Sequence, residues 1–217
     1  MSQPAATGLR AALIAGGLGL WFLTQRLLAG RMPEAGGIGD RAHDWSAPLH
    51  DWLAARPRAA DAVLIASSAV IDLCGVWLLG ASLLGPTLRP FLSLFFLYLA
   101  RQVCQGLCSL PAPPGAIWRH PGFPSLLVTY GTSHDYFFSG HTAIAVLGAV
   151  AAVAAGPPWL AAAAIAAAVL EAAVVLALRA HYTMDVVAAA CAAWCAWSLG
   201  GAFAPAVDRW LAVLGAG

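Results

Sequence analysis

The sequence predicts an all-α, polytopic membrane protein, and three of its features lead to this prediction. Hydrophobic residues make up 61% of the 217 residues and charged residues only 10%, against about a quarter charged in an average soluble domain. Apolar runs of about twenty residues, long enough to cross a ~30 Å hydrocarbon core as a helix, recur along the chain. The formal net charge is +1 and no basic block is present, which excludes a nucleic-acid-binding surface.

Six apolar segments predict six transmembrane helices in one bundle. The first segment is longer than the ~7–15 apolar residues of a secretory signal, so we expect it to be retained as the first span. No internal repeat or second domain is visible, which favours a single membrane domain over residues 1–217. The predicted spans are residues 8–30, 59–85, 88–110, 139–156, 158–180 and 183–204.

Two long connections separate these spans, and they are predicted to emerge on the same face together with the junction near residue 180. In residues 31–58, four apolar residues recur at helical spacing, which predicts a short amphipathic helix in the membrane interface between spans one and two. The second connection, residues 111–138, is rich in Pro, Gly and aromatic residues. The apolar positions of the first connection are Trp45, Leu49, Trp52 and Leu53.

Ionisable residues at membrane depth are costly, and here they concentrate in two short strings. Residues 133–142 read Ser-His-Asp-Tyr-Phe-Phe-Ser-Gly-His-Thr, and residues 179–186 read Arg-Ala-His-Tyr-Thr-Met-Asp-Val. The histidines His141 and His181 are forty residues apart, which is about 60 Å of helix, or two crossings of a ~30 Å core. A hairpin folded at Gly156-Pro157-Pro158 returns the second histidine to the face of the first, so the spacing predicts a shared site.

The residue types in these strings suit phosphoryl chemistry. His181 and Asp185 are four residues apart, so on a helix the carboxylate can accept one imidazole proton and leave the other nitrogen as a nucleophile. Ser139 and Gly140 precede His141 at a helix start, where backbone N–H groups favour an anion. His141 is suited to act first as an acid and then as a base. The further cations that we expect to bind phosphate are Arg179 and Arg101.

Other interpretations of these residues stay open. The strings are also consistent with interfacial capping groups and a helix-end ion pair. A metal site lacks a third convincing ligand, and the five cysteines show no zinc-binding spacing, so no metal is expected. For the charges inside spans, Arg101, Asp72 and Glu171, we favour mutual pairing that locks the bundle, with a substrate role as the alternative for Arg101.

The aromatic and histidine residues around the two strings also have two interpretations. The aromatic residues fit a belt at the membrane surface, which we favour, or a cage that holds a quaternary ammonium group by cation–π contact. The other histidines are expected to lie on the surface. The aromatic residues are Trp118, Tyr130, Tyr136, Phe137 and Phe138, and the surface histidines are His43, His50, His120 and His134.

The two strings resemble the signatures of the sphingomyelin synthase family, the lipid-transferase branch of the type-2 phosphatidic acid phosphatase superfamily. The first family signature, Cys-Gly-Asp and then Ser-Gly-His-Thr, is matched by Ser133-His134-Asp135 and residues 139–142. The second, His-Tyr-Thr-x-Asp-Val, is matched in full by residues 181–186. Two weaker likenesses bring the coverage to about residues 48–186. They are Arg89, Tyr98, Arg101 and Cys108-Ser109-Leu110-Pro111 in span three, and Pro48-Leu49-His50-Asp51.

This resemblance implies transfer of phosphocholine or phosphoethanolamine from a phospholipid donor to a lipid alcohol, ceramide or diacylglycerol, without a cofactor. His181, oriented by Asp185, would form a phosphohistidine, and His141 would protonate the leaving diacylglycerol and then deprotonate the acceptor. Ser133-His134 replaces the family's Cys-Gly, which leaves the head group and acceptor open. A phosphatase or phospholipase C-type hydrolase, with water as acceptor, is the alternative. The expected substrate-binding residues are Arg101, Asp135, Ser139, Gly140, Arg179, Tyr98 and Tyr136.

The sequence constrains the localisation and the assembly of the chain less than it constrains the fold and the chemistry of the site. All eleven basic residues are arginine and alanine is abundant, which is typical of a GC-rich bacterial genome and predicts a bacterial inner membrane. The arginine count in the connections puts the site in the cytoplasm by the positive-inside rule, whereas the resemblance implies the outer face. We expect the periplasmic face, and the oligomeric state stays open.

Overall fold

The computed structural model describes residues 3–29, 38–130 and 136–214, and in these ranges the chain is all-α. Among the described residues there are seven helices, of which six lie within or overlap the six predicted spans. The helices are α1 (Gln3–Leu28), α2 (Arg41–Ala54), α3 (Pro57–Leu84), α4 (Arg89–Leu107), α5 (Gly140–Ala155), α6 (Pro158–Ala177) and α7 (Thr183–Leu214).

The ends of the helices follow local sequence signals, with one exception. Pro57 and Pro158 lie in the first turns of α3 and α6, where a missing N–H costs nothing, and Gly156 ends α5. The exception is α7, which runs to Leu214, ten residues past the predicted end at 204. Asp208 in this extension accepts a hydrogen bond from the Leu88 backbone N–H at 2.9 Å, so the extra turns fasten α7 to the start of α4.

Of the described helices, four are long and apolar enough to cross a membrane, namely α1, α3, α6 and α7. The helix α5 is apolar but has only 16 residues, which is about 24 Å at 1.5 Å per residue. The 19 residues of α4 include two arginines and two glutamines, which lower its mean hydropathy. The chain is therefore an integral membrane protein, while the number of six crossings stays a prediction.

The short helix predicted between the first two spans is present as α2. Asp40 caps it by accepting a hydrogen bond from the Ala42 N–H at 2.9 Å. Trp45 and Leu49 are exposed, which suits a helix that lies against lipid. The prediction that His43 and His50 are surface groups is wrong, since both are buried, on the face of α2 turned toward the bundle.

The bundle is centred on α5, which packs against α3, α6 and α7, while α4 packs along α7. The hairpin predicted from Gly156-Pro157-Pro158 is thus present as α5 and α6. Close approach of α4 and α7 depends on Gly200, because a Cβ there would overlap the Ser93 Oγ and come within 2.9 Å of the Ser93 backbone nitrogen. The ends of α5 and α7 that carry the two strings are thus held in place because both helices are packed along their whole length.

The mutual pairing predicted for Arg101, Asp72 and Glu171 is wrong. Asp72 accepts hydrogen bonds from one side chain and two backbone N–H groups of residues 125–127. Glu171 accepts from the Ser67 hydroxyl at 2.6 Å. Each carboxylate is thus satisfied by nearby hydrogen-bond donors and does not need Arg101. Asp72 holds the connection of residues 111–138 against α3, and Glu171 joins α6 to α3.

Candidate active site

One cavity is lined by both predicted catalytic histidines, His141 and His181. His141 lies in the first turn of α5, and His181 lies in the turn between α6 and α7. The α5–α6 hairpin returns the chain to the same end of the bundle, as the forty-residue spacing predicts. The structure therefore brings the two histidines together, whereas their catalytic roles stay predictions.

The orientation of the His181 ring is set by a backbone carbonyl. Its Nδ1 lies 2.8 Å from the carbonyl oxygen of Tyr136 and 3.6 Å from Oδ2 of Asp185. Because a carbonyl only accepts, Nδ1 carries the proton, and Nε2 is left with its lone pair. The sequence predicted Asp185 as the acceptor of that proton; in the structure its carboxylate lies too far for a hydrogen bond and acts as a neighbouring charge.

Asp185 connects the two strings. Its side chain is fully buried, and Oδ2 accepts a hydrogen bond from the Tyr182 N–H at 2.9 Å. Its own backbone carbonyl accepts from the Ser139 N–H at 3.2 Å. The start of α7 is thereby tied to the residue that precedes α5, and the two histidines are held in a fixed relation.

Ser139 and Gly140 have different positions although they are adjacent. Ser139 is fully buried, and its hydroxyl oxygen accepts from the Thr142 N–H at 3.3 Å, so it serves as the N-cap of α5. Gly140 lines the cavity, and a Cβ there would lie 3.5 Å from the guanidinium carbon of Arg101. Gly140 is thus placed to contact a ligand, and Ser139 is placed to support the helix start.

Arg101 brings a positive charge into the cavity from α4. Its side chain is buried at 4% exposure, and Nε donates to the Phe138 carbonyl oxygen at 2.8 Å. The Gln25 amide, with its carbonyl turned toward the guanidinium, accepts from Nη1 at 3.3 Å. A buried cation beside two histidines is an arrangement that favours a phosphate.

The remaining predicted substrate residues differ in their placement. Tyr98 and Tyr136 both line the cavity. Arg179 has a positive φ of 52° and donates from Nη1 to the Pro114 carbonyl at 3.2 Å, so it supports the long connection and does not line the cavity. Asp135 lies outside the described residues.

Sequence reasoning missed two residues of α1, Trp21 and Gln25, which also line the cavity. A single glutamine inside an apolar run was the only signal. Trp118 stands edge-on to the His141 ring at 5.1 Å between centroids and lines the cavity as well. The favoured aromatic-belt interpretation is wrong for Trp118 and Tyr136, because both face the cavity instead of surrounding lipid.

The buried face of α2 supports the backbone around His181. Nε2 of His43 donates to the His181 carbonyl oxygen at 2.9 Å, and Nδ1 of His50 donates to the Ala177 carbonyl at 3.0 Å. Asp40 accepts hydrogen bonds from the Thr183 N–H and hydroxyl. Burial tends to raise the pKa of Asp40, but these hydrogen bonds outweigh it and hold the pKa below the ordinary value.

The AtPDCT1/2 family model matches residues 40–202, about three quarters of the chain. The matched range contains both strings, Arg101 and the helices α2 to α6. The chain belongs to the AtPDCT1/2 family. PDCT stands for a plant phosphatidylcholine:diacylglycerol cholinephosphotransferase, so AtPDCT1/2 membership supports transfer of a phospholipid head group as the activity. No curated protein and no solved structure matches the chain at a significant level.

AtPDCT1/2 membership corrects the assignment to the sphingomyelin synthase family, which is wrong. The assignment rested on two short strings and weaker likenesses, whereas the AtPDCT1/2 match follows the chain over one continuous range. Short catalytic strings report the chemistry of a site more than its substrates. The AtPDCT1/2 match does not include α1, so Trp21 and Gln25 are contributed by a part of the chain outside it.

Proposed function

We propose that this chain transfers phosphocholine from phosphatidylcholine to diacylglycerol through a phosphohistidine on His181. The observation that carries the proposal is the presence of His141, His181 and the buried cation of Arg101 around one cavity. Membership of the AtPDCT1/2 family supports the donor and the acceptor. Cavity and family together favour a head-group transferase over a binding protein.

In the first half-reaction, Nε2 of His181 attacks the phosphorus of the donor. The bond from phosphorus to the glycerol oxygen breaks, and His141 gives its proton to that oxygen, so that diacylglycerol leaves as a neutral alcohol. The positive charge that grows on the His181 ring is stabilised by the Tyr136 carbonyl at 2.8 Å and the Asp185 carboxylate at 3.6 Å. Phosphocholine is left on His181.

In the second half-reaction, a second diacylglycerol enters. His141, now neutral, takes the proton of its hydroxyl, and the oxygen attacks phosphorus while the bond to His181 breaks. One phosphodiester of a primary alcohol is exchanged for another, so the overall free-energy change is close to zero and no energy source is needed. The forward and the reverse transfer therefore use the same residues, His181 and His141.

Arg101 is suited to stabilise the phosphoryl group in both half-reactions. Charge on the transferring group lies on its non-bridging oxygens, and catalysis of phosphoryl transfer depends mainly on positioning and electrostatics. A guanidinium that is 4% exposed is screened little by water. Its bond to the Phe138 carbonyl fixes the guanidinium before substrate arrives, which limits reorganisation.

The cavity lining favours choline over ethanolamine. Four aromatic residues line it, and no carboxylate does so among the described residues. A quaternary ammonium group donates no ordinary N–H hydrogen bond and is attracted to aromatic faces, whereas a primary ammonium needs acceptors for three N–H groups. The four residues are Trp21, Tyr98, Trp118 and Tyr136.

The proposal is tested with the purified chain in vesicles of phosphatidylcholine that carries deuterated choline, together with diacylglycerol of a different acyl mass. Mass spectrometry is expected to find deuterated choline on the acceptor's chains. His181→Ala should abolish this transfer, and His141→Ala should lower it by at least about 100-fold. His120→Gln is the matched control, because His120 is an exposed histidine that does not line the cavity.

Water and ceramide, the alternative acceptors, are tested as separate arms of the same assay. Release of free phosphocholine at a rate that ignores diacylglycerol would replace the transferase with a hydrolase. Faster transfer to ceramide than to diacylglycerol would overturn the proposed acceptor. Transfer that is unchanged in both alanine variants would show that the histidines have no catalytic role.

The membrane face of the site and the bacterial inner membrane stay predictions. Gly122 lies on the exposed connection at the site end, and Pro86 lies in the exposed turn between α3 and α4. Cysteine at each position, in a background without the five natural cysteines, can be labelled with an impermeant maleimide in intact cells. Labelling at Gly122→Cys alone supports the periplasmic face, and labelling at Pro86→Cys alone refutes it.

A further inference from the structure

We propose that an apolar groove between α1 and α4 binds one acyl chain of the glycerolipid whose head group reacts in the cavity. The inference rests on the proposed function for the chemistry at His181. It adds a binding site for the lipid tail and the residues that select it. These residues lie partly on α1, which is outside the range of the family match.

The groove adjoins the catalytic cavity. Trp21 of α1 and Tyr98 of α4 line both spaces, and their ring centroids are 4.5 Å apart. A lipid whose phosphate lies at His181 must lead its glycerol and chains out of the cavity. The Trp21 and Tyr98 pair marks the boundary at which the lining changes from polar to apolar.

The chemistry of the groove fits a hydrocarbon chain. Of the described residues that line it, none is charged. Thr24 is one of the few polar ones, and its hydroxyl donates to the Trp21 carbonyl at 2.8 Å within its own helix. Gly17 lets Phe91 approach α1, because a Cβ on Gly17 would lie 2.8 Å from the ring. The wall is thus mainly apolar, and Gln102 is its other polar residue outside the aromatic rings.

Two other clefts are weaker candidates for the same chain. One lies between α2, α4 and the start of α7, and the other lies on the outer face of α5, α6 and α7. Within the described part of the chain, neither shares a lining residue with the catalytic cavity. The first cleft is lined by the charged residues Asp40, Arg41 and Asp185, which suit a hydrocarbon chain poorly. Among the described residues, the second has no lining residue in common with the cavity and therefore does not adjoin it.

One groove suffices for both half-reactions. The group that leaves the donor and the alcohol that enters are both diacylglycerols, so the same chain site receives each in turn. Binding of an acyl chain to an apolar wall within the membrane gains little free energy from the hydrophobic effect, because the surrounding lipid tails are equally apolar. The groove therefore selects acyl chains by their shape. A bulky side chain in the groove should change the preference among acyl chains more than the rate of the chemical step.

The test compares substitutions in the groove with matched controls on the same helices. Leu20 and Leu99 line the groove and are 52% and 48% exposed. Leu23 and Val103 do not line it and are 54% and 52% exposed. Each is changed to tryptophan, and kcat/KM is measured with dioleoylglycerol and dihexanoylglycerol as competing acceptors in mixed micelles.

We expect Leu20→Trp and Leu99→Trp to lower the ratio of long-chain to short-chain kcat/KM by about tenfold, since apolar pockets discriminate by roughly 10 to 200-fold. Leu23→Trp and Val103→Trp should change the ratio by less than about twofold. An unchanged ratio in the groove variants, or an equal change in the controls, would overturn the proposal.

A second measurement keeps the groove testable apart from activity. Phosphatidylcholine with a diazirine near the end of one acyl chain is photo-crosslinked to the wild-type chain, and the labelled peptides are sequenced. Labels are expected on α1 and α4 around Leu20 and Leu99, and Leu20→Trp should remove them. Labels confined to other helices would refute the groove. Absence of any transfer by the wild type, with labels still in the groove, would refute the proposed function alone.

Discussion

The wall of the cavity that α5 and α7 provide is held by hydrogen bonds, whereas the wall that α1 provides rests mainly on apolar contacts. On the first wall, the Tyr136 carbonyl orients His181, and the Asp185 carbonyl holds the residue before α5. On the second, Trp21 contacts the Tyr98 ring, and only 6% of the most apolar stretch of α1 is buried, against 28% for α7.

This difference separates positioning for chemistry from accommodation of substrate. Hydrogen bonds restrict the direction of a group, so the first wall can hold imidazoles within the tight limits that catalysis needs. Apolar contacts are not directional and allow small shifts, so the second wall can admit lipids of different shape. We expect substitutions on the first wall to lower kcat, and substitutions on the second to change KM and chain preference.

The largest effect is expected for the two histidines, and a donor with a better leaving group separates their roles. His181→Ala should lower transfer by about 10⁴-fold or more, because no nucleophile remains. His141→Ala should lower transfer from phosphatidylcholine by about 10²–10⁴-fold. With p-nitrophenyl phosphocholine, whose leaving group departs without a proton, His141→Ala should recover a burst of nitrophenolate and His181→Ala should not. Equal recovery in both would contradict the assigned roles.

Arg101→Gln should have the next largest effect, a loss of about 10²–10³-fold in kcat, as is typical when one stabilising donor is removed. Arg101→Lys should recover part of it, because the charge remains and the planar fork is lost. Both are measured in the transfer assay, with thermal unfolding to show that the fold is kept. An effect on KM alone would mean that Arg101 binds the substrate and the transition state equally and does not accelerate the chemical step.

The support from α2 predicts an intermediate effect. His43→Ala removes the donor to the His181 carbonyl, which is 2.9 Å away, and a net loss of about 1 kcal/mol of positioning corresponds to a roughly fivefold lower kcat. His43→Gln, which keeps a donor, should recover most of the rate. A fall in unfolding temperature without a change in kcat would assign His43 a structural role only.

The hydrogen bonds of Asp40 predict that the stability of the folded protein depends on pH. Burial tends to raise the pKa of this carboxyl group, but hydrogen bonds from Thr183 and Ala42 hold the folded-state pKa below the unfolded value of 3.8. The stabilisation is therefore present above the unfolded pKa and lost as pH falls through the folded pKa. Asp40→Asn should lower Tm by about 2–4 °C near neutral pH and flatten its fall on acidification. An unchanged acid profile would contradict this.

The smallest effect is expected on the wall that α1 provides. Trp21→Phe keeps an aromatic ring beside Tyr98 but loses the indole N–H, which lies 3.2 Å from the Gln25 carbonyl. We expect kcat to change by less than about threefold and KM to rise by a few-fold, measured by initial transfer rates over a range of donor concentration. A large fall in kcat would show that α1 takes part in positioning the chemistry, and the contrast between the walls would fail.

Local sequence signals were enough to predict the helical architecture and the meeting of the two histidines. Apolar runs, with proline and glycine at their ends, are local signals, and the helices α3, α5 and α6 begin or end close to where those signals lie. The forty residues between His141 and His181 convert directly into a hairpin length, because a helix has a constant rise. These conclusions need no knowledge of which helix is whose neighbour.

The groups that surround the histidines follow from how the helices pack, and the sequence did not predict them. The acceptor for His181 is a backbone carbonyl, which every residue carries and no sequence pattern marks. His43 turned inward and Arg179 turned toward the connection, because their partners are carbonyls more than sixty residues away in the chain. Trp21 reached the cavity through packing of α1. Contacts between distant segments depend on how helix faces meet, and that choice is made by the whole bundle.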